Sequence, residues 1–215
     1  MKKRYRKSLI LFTAMAGIVG CVVDLGGTLI FGNRIPGYNQ FTDTMSQMGI
    51  HSSPVSGEIT ICWIAMGVLL ILFGIGIRLI YKDQKKWAVI AALLVILYGI
   101  GEGMMSGIFP ADKAGEARSL TGLVHNGLGG LGVVSIMIFP LVMQKIRPHL
   151  RKLSIIIFIV GAAGVLLFFV GRLLSIPDSF LARYKGSWQR LYVTVYYVYI
   201  VIISLKMIGS GSREQ

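Results

Sequence analysis

Six stretches of about 20 residues, each almost free of charge, recur along the chain, and this pattern leaves few ways to fold it. They are approximately Leu9 to Phe31, Glu58 to Ile80, Trp87 to Phe109, Leu120 to Met143, Leu153 to Leu174 and Trp188 to Ile208. Wound at about 1.5 Å per residue, such runs match the roughly 30 Å hydrocarbon core of a bilayer. The expected fold is all-α: a polytopic membrane protein whose residues 1–215 form a single six-helix transmembrane domain. A hydrophobic share of 54% against 14% charged residues excludes a soluble or secreted role.

The net charge of +13 would suggest nucleic acid in a soluble chain, but here the basic residues follow the spans. Lys2, Lys3, Arg4, Arg6 and Lys7 precede the first span, Arg78, Lys82, Lys85 and Lys86 follow the second, and Lys145, Arg147, Arg151 and Lys152 follow the fourth. The alternate connections carry fewer, with Arg34, Lys113, Arg118, Arg183 and Lys185. The positive-inside bias then puts both termini in the cytoplasm of a prokaryotic plasma membrane. The acids run the other way: Asp24, Asp43, Glu58, Glu102, Asp112, Glu116 and Asp178 belong to outer loops or outer span halves. The expected partners are membrane lipids and a small polar or anionic ligand, not nucleic acid.

Cys21 and Cys62 lie in apolar runs and form no CxxC pattern. Ile18-Val19-Gly20-Cys21 resembles a lipoprotein cleavage site, but the apolar run continues past Cys21 to Phe31. An uncleaved span is therefore expected.

Charges at membrane depth normally face a bundle interior or a wet cavity, which makes Asp24, Glu102, Arg172 and Arg190 site candidates. A buried ion pair of Asp24 with Arg172 or Arg190 is the competing structural role. Thr13, Gly17, Cys21, Asp24 and Thr28 recur at helical spacing in span one, as do Tyr98, Glu102 and Ser106 in span three. Span four offers Gly122, His125, Asn126 and Gly129, and span six Arg190, Thr194, Tyr197 and Ser204. Four such stripes could converge on one outward-opening polar pocket. The glycines from Gly127 to Gly132 sit in an apolar span and read as helix packing, not as a nucleotide loop. Tyr192, Tyr196, Tyr197 and Tyr199 read as an aromatic belt or as bundle packing.

His149 falls on the opposite side from His51 and His125, so the three cannot share one zinc site. His125 with Glu102, Asp43 or Asp112 stays open as a metal site, and no cofactor is implied. In the loop from Asn33 to Gly57, Thr42 or Asp43 is expected to cap a short helix ending at Gly49, with Asp43 and Ser46 on one face. Pro110 should stop span three where Asp112 enters water.

The chain resembles the prokaryotic membrane proteins called domain of unknown function 998. The resemblance rests on Tyr38-Asn39, Ser46-Gln47-Met48-Gly49 with Ser53-Pro54, Gly107-Ile108-Phe109-Pro110-Ala111-Asp112, His125, and Gly186-Ser187-Trp188-Gln189-Arg190-Leu191. It implies a six-helix integral membrane fold and brings no activity or ligand.

Three functions fit the residues. The first is a site for a lipid headgroup or small polar ligand, using Asp24, Ser106, Asp112, Asn126, Arg172 and Arg190. The second is an intramembrane lipid hydrolase or transferase with Ser46 or Ser106 as nucleophile, His125 as base and Asp43, Glu102 or Asp112 orienting it. The third is a non-catalytic scaffold or subunit whose polar groups only hold helices together.

Overall fold

A computed structural model of the chain describes residues 2–113, 117–173 and 179–212. Glu116, Asp178, and the end of the fifth expected span at Leu174 lie outside the described residues. Six long helices form: α1 (Lys2–Gly32), α2 (Ser56–Ile80), α3 (Lys85–Tyr98), α4 (Leu120–Ile146), α5 (Arg151–Leu173) and α6 (Lys185–Ser212). α3 continues as a π-helical stretch, Gly99–Met105, and closes with the turn Ser106–Ile108. The membrane-crossing portions run 25 to 28 residues, enough for the hydrocarbon core with turns to spare. Lipid offers no hydrogen bonds to a backbone, and helices satisfy their own. α1 passes through Cys21 unbroken, and Cys21 is buried.

Each helix packs on its neighbours in sequence, and α6 closes the ring onto α1. The seam between α4 and α5 is the loosest of the six. Leu93, Leu131, Ile156, Ile159 and Leu166 point outward from the ring, as expected of a bundle solvated by lipid tails. All of Thr13, Cys21, Asp24 and Thr28 are buried, so the α1 stripe faces inward as its spacing predicts. The α6 stripe follows expectation in part: Tyr197 and Ser204 are buried, but Thr194 is exposed, and the inward face also takes in Gln189, Tyr192, Val193 and Tyr196. These tyrosines pack inside the bundle and form no belt.

The π-helical stretch explains how an acid comes to sit among apolar helices. Gly99, Gly101 and Gly103 alternate around Glu102. A methyl on Gly103 would stand 2.5 Å from the Gly67 Cα of α2, and one on Gly101 would stand 2.3 Å from the Leu128 carbonyl oxygen of α4. Only bare backbone allows both approaches, and they seat Glu102 between two helices. π-helical segments are rare and cluster at functional sites.

The Asn33–Val55 connection folds back over one end of the ring. Its helix is a 3-10 turn, Met45–Gly49, preceded by Thr44, and no side chain caps it. Neither Thr42 nor Asp43 is the cap: the Asp43 carboxylate accepts from the Asn39 backbone N–H at 2.8 Å instead. Gly49 ends the turn, as expected. Met45 and Met48 anchor it by burial. The loop is clamped to the start of α6, where the Ser187 N–H donates to the Phe41 carbonyl at 2.8 Å. Helix N-termini leave such donors unfilled within the helix itself.

Candidate functional site

Beneath this loop a cavity of about 320 Å³ opens between α4 and α5. Its polar wall includes Ser46, Glu102, Asp112, Arg118, His125, Asn126, Arg172, Gln189 and Tyr192, and its apolar wall Leu123, Val133, Phe168, Phe169 and Leu173. Gly129 faces Ser106 and Glu102 across the helix contact, whereas methyls on Gly127 and Gly130 would meet open space. The glycine run therefore does two things, packing on one face and leaving room on the other.

His125 is fixed at both ring nitrogens. Nδ1 lies 2.8 Å from the Phe109 carbonyl oxygen and Nε2 lies 3.3 Å from Ser46 Oγ. A carbonyl can only accept, so the neutral ring carries its hydrogen on Nδ1 and offers the Nε2 lone pair to the Ser46 hydroxyl. The Phe109 carbonyl is free because the third span stops at Ile108, just before Pro110, and helix ends leave carbonyls unfilled. The group that orients His125 is thus a backbone carbonyl and not a carboxylate.

Asp112 closes the base of α4 from the loop side. It accepts from the Ser119 N–H at 3.2 Å and from the Ser119 hydroxyl, whose oxygen in turn accepts from the Gly122 N–H at 2.9 Å. These bonds hold the Asp112 carboxyl below its ordinary range. Asn126 donates to the Gly122 carbonyl at 2.7 Å and accepts from Arg172 at 2.9 Å. The Arg172 guanidinium also lies 6.0 Å from the Phe168 ring centroid. Ser106 donates to the Gly101 carbonyl at 3.1 Å inside the π-helical stretch, which points away from a role as nucleophile.

Arg190 does not line the cavity. It donates to the Asp43 and Gly186 carbonyls at 2.8 and 3.2 Å, to the Tyr38 hydroxyl at 2.6 Å and to Gln40 Oε1. Its charge is used to hold the loop. Burial pushes the Tyr38 hydroxyl above its ordinary pKa in spite of this cation.

Asp24 lies deeper, at a chamber of about 20 Å³ that shares Ser46, Glu102, His125, Gln189 and Tyr192 with the larger cavity. That is room for about one water. Asp24 forms no ion pair with Arg172 or Arg190: its Oδ2 accepts from Tyr197 at 2.6 Å, Tyr98 donates to Tyr197 at 3.2 Å, and among the described residues its buried Oδ1 has no hydrogen-bond partner. Among the described residues no group of three His, Cys, Asp or Glu side chains is placed to hold a metal.

The structure therefore brings Ser46, Glu102, Asp112, His125, Asn126 and Arg172 to one cavity, puts Asp24 and Ser106 at its inner end, and leaves Asp43 and Arg190 in the loop clamp. Sequence reasoning missed Gln189, Tyr192 and Arg118 as wall residues. Gln189 and Tyr192 could have been found from their three-residue spacing on α6. The Phe109 carbonyl leaves no trace in side-chain patterns.

A family model described as a protein of unknown function, DUF998, matches residues 18–206. No curated protein and no solved structure matches the chain.

Proposed function

The chain belongs to the DUF998 family of proteins of unknown function, and from its cavity we propose that it binds the anionic polar head of a membrane amphiphile. One observation carries this reading: two guanidinium side chains, Arg118 and Arg172, share a cavity wall with Leu123, Phe168, Phe169 and Leu173. Guanidinium suits phosphate and carboxylate because its planar fork donates parallel hydrogen bonds. Arg172 gives one bond to Asn126, so donors remain for a ligand. The apolar wall suits the first methylenes of an attached chain.

The volume falls at the lower end of the roughly 300–1,000 Å³ common for ligand pockets, which suits a headgroup whose tails stay in the bilayer. Leu123 and Leu173 are 52% and 78% exposed, which favours entry from the lipid side through the loose α4–α5 seam. The distribution of Lys and Arg favours an outward-facing cavity with both termini inside, so the ligand would come from the outer leaflet.

Thermal melting in neutral detergent tests the reading. Added phosphatidylglycerol should raise the melting temperature of the wild type and not that of Arg172→Ala. An equal rise with free glycerol phosphate would assign the site to a soluble anion instead, and no response to either would reject it.

A further inference from the structure

We propose that Ser46 and His125 are the nucleophile and base of an acyl-transfer site, with the Gln189 carboxamide receiving the oxyanion and an ester-bearing amphiphile as substrate. This rests on the binding reading above, since the same cavity seats the substrate.

Three observations point the same way. First, the Ser46–His125 pair has the polarity that nucleophilic catalysis needs. The Nδ1 hydrogen is committed to the Phe109 carbonyl at 2.8 Å, leaving the Nε2 lone pair at 3.3 Å from Ser46 Oγ. A base within reach of the nucleophile and a third group holding the base is the general form of such sites, and the first distance is commonly loose before substrate binds. Second, Ser46 is held in place. Its neighbour Met45 is buried, and the Met45 N–H donates to Gln189 Oε1 at 2.7 Å. Third, that bond fixes the Gln189 amide. With Oε1 accepting from Met45, the –NH2 end turns towards Tyr192, and its second hydrogen is the one left for the space that Ser46, Gln189 and Tyr192 line together. A donor beside the nucleophile is what a developing oxyanion requires.

The remaining groups have compatible roles. Glu102 lines the same cavity, and Arg172, which donates to Asn126 next to His125, is placed for an anionic head. Asp43 and Asp112 are occupied by Asn39 and Ser119.

The step balances without any further reagent. Ser46 Oγ bonds to the ester carbonyl carbon as its proton passes to His125 Nε2, and the negative charge gathers on the carbonyl oxygen facing Gln189. Collapse breaks the ester C–O bond, and the departing alcohol takes the proton from Nε2. Water, or a second alcohol, then attacks the acyl-Ser46 ester. His125 removes its proton and returns it to Ser46 Oγ, giving a carboxylic acid or a new ester.

The test treats the full chain in detergent with a fluorophosphonate, which bonds to a nucleophilic serine with loss of fluoride, and locates the label by peptide mass spectrometry. Native mass spectra of the same samples record retained lipid. The expected result is labelling of wild-type Ser46, none in Ser46→Ala or His125→Ala, and about 100-fold slower labelling in Gln189→Glu, which keeps the acceptor for Met45 but loses the donor. If His125→Ala does not fold, His125→Asn, which can still donate towards Phe109, takes its place. A folded wild type that stays unlabelled while a control serine hydrolase reacts overturns the proposal, as does Ser46 labelling undiminished by loss of His125. Unlabelled protein that still loses lipid on Arg172→Ala overturns the catalytic assignment alone and leaves binding in place.

Discussion

Tyr197 of α6 donates to Asp24 of α1 at 2.6 Å, and Tyr98 of α3 donates to Tyr197 at 3.2 Å, so one hydrogen-bond chain crosses the middle of the ring. Tyr197→Phe removes the 2.6 Å hydrogen bond that this buried carboxylate receives. The expected cost is about 1–3 kcal/mol, the range for leaving a buried polar group unsatisfied. Asp24→Asn, which removes the charge and keeps an acceptor, should cost less. Detergent melting curves of the two variants give the order, and a larger loss for Asp24→Asn would contradict this account of the chain.

Arg190 acts on the cavity through its roof. Its bonds to Tyr38, Gln40 and the Asp43 carbonyl tie the first loop to α6. Tyr38→Phe removes one charge-assisted bond and should destabilise the protein by about 1.5–3 kcal/mol. Because the loop is the least buried part of the clamp, proteolysis between residues 38 and 44 should accelerate before the bundle itself melts. A loop as resistant as the wild type's would count against the clamp.

The Asp112–Ser119 bonds predict a pH response with a definite sign. Asp112 titrates below its ordinary value in the folded chain, so its contribution is complete above about pH 4, the ordinary Asp value, and is lost as pH falls through the folded value. Asp112→Asn should flatten the acid limb of the melting profile and leave the neutral region almost unchanged. Ser119→Ala, which removes the α4 cap, should cost about 1 kcal/mol at neutral pH. An acid limb identical in wild type and Asp112→Asn would refute the assignment.

The glycines around Glu102 predict intolerance to even one methyl. Gly101→Ala pushes a Cβ to 2.3 Å from the Leu128 carbonyl, and overpacking of this kind typically costs about 1–3 kcal/mol. Gly127→Ala, where nothing stands within 4 Å, should be neutral in the same melting assay.

How far the sequence could be read followed the physics of each feature. Hydrophobic length fixed the six spans, because bilayer thickness acts on every residue of a run. Inward stripes were legible on α1, where Thr13, Cys21, Asp24 and Thr28 all proved buried. On α6 the stripe held only in part: Tyr197 and Ser204 are buried, but Arg190, one residue from the wall residue Gln189, turns to the loop, and Thr194 faces outward. The nucleophile, base and acid types could be named beforehand, but the group that orients His125 is a main-chain carbonyl at a helix end. Composition carries no record of that, and the π-helical turn that seats Glu102 depends on backbone contacts with Gly67 and Leu128.

The binding claim is tested most directly by native mass spectrometry of detergent-purified protein, comparing wild type with Arg172→Ala and Arg190→Ala. The account predicts an anionic amphiphile on the wild type, its loss from Arg172→Ala, whose guanidinium stands in the cavity wall, and a smaller loss from Arg190→Ala, which only loosens the roof. A folded wild type free of adducts after incubation with phosphatidylglycerol, or an adduct that Arg172→Ala keeps in full, would contradict it.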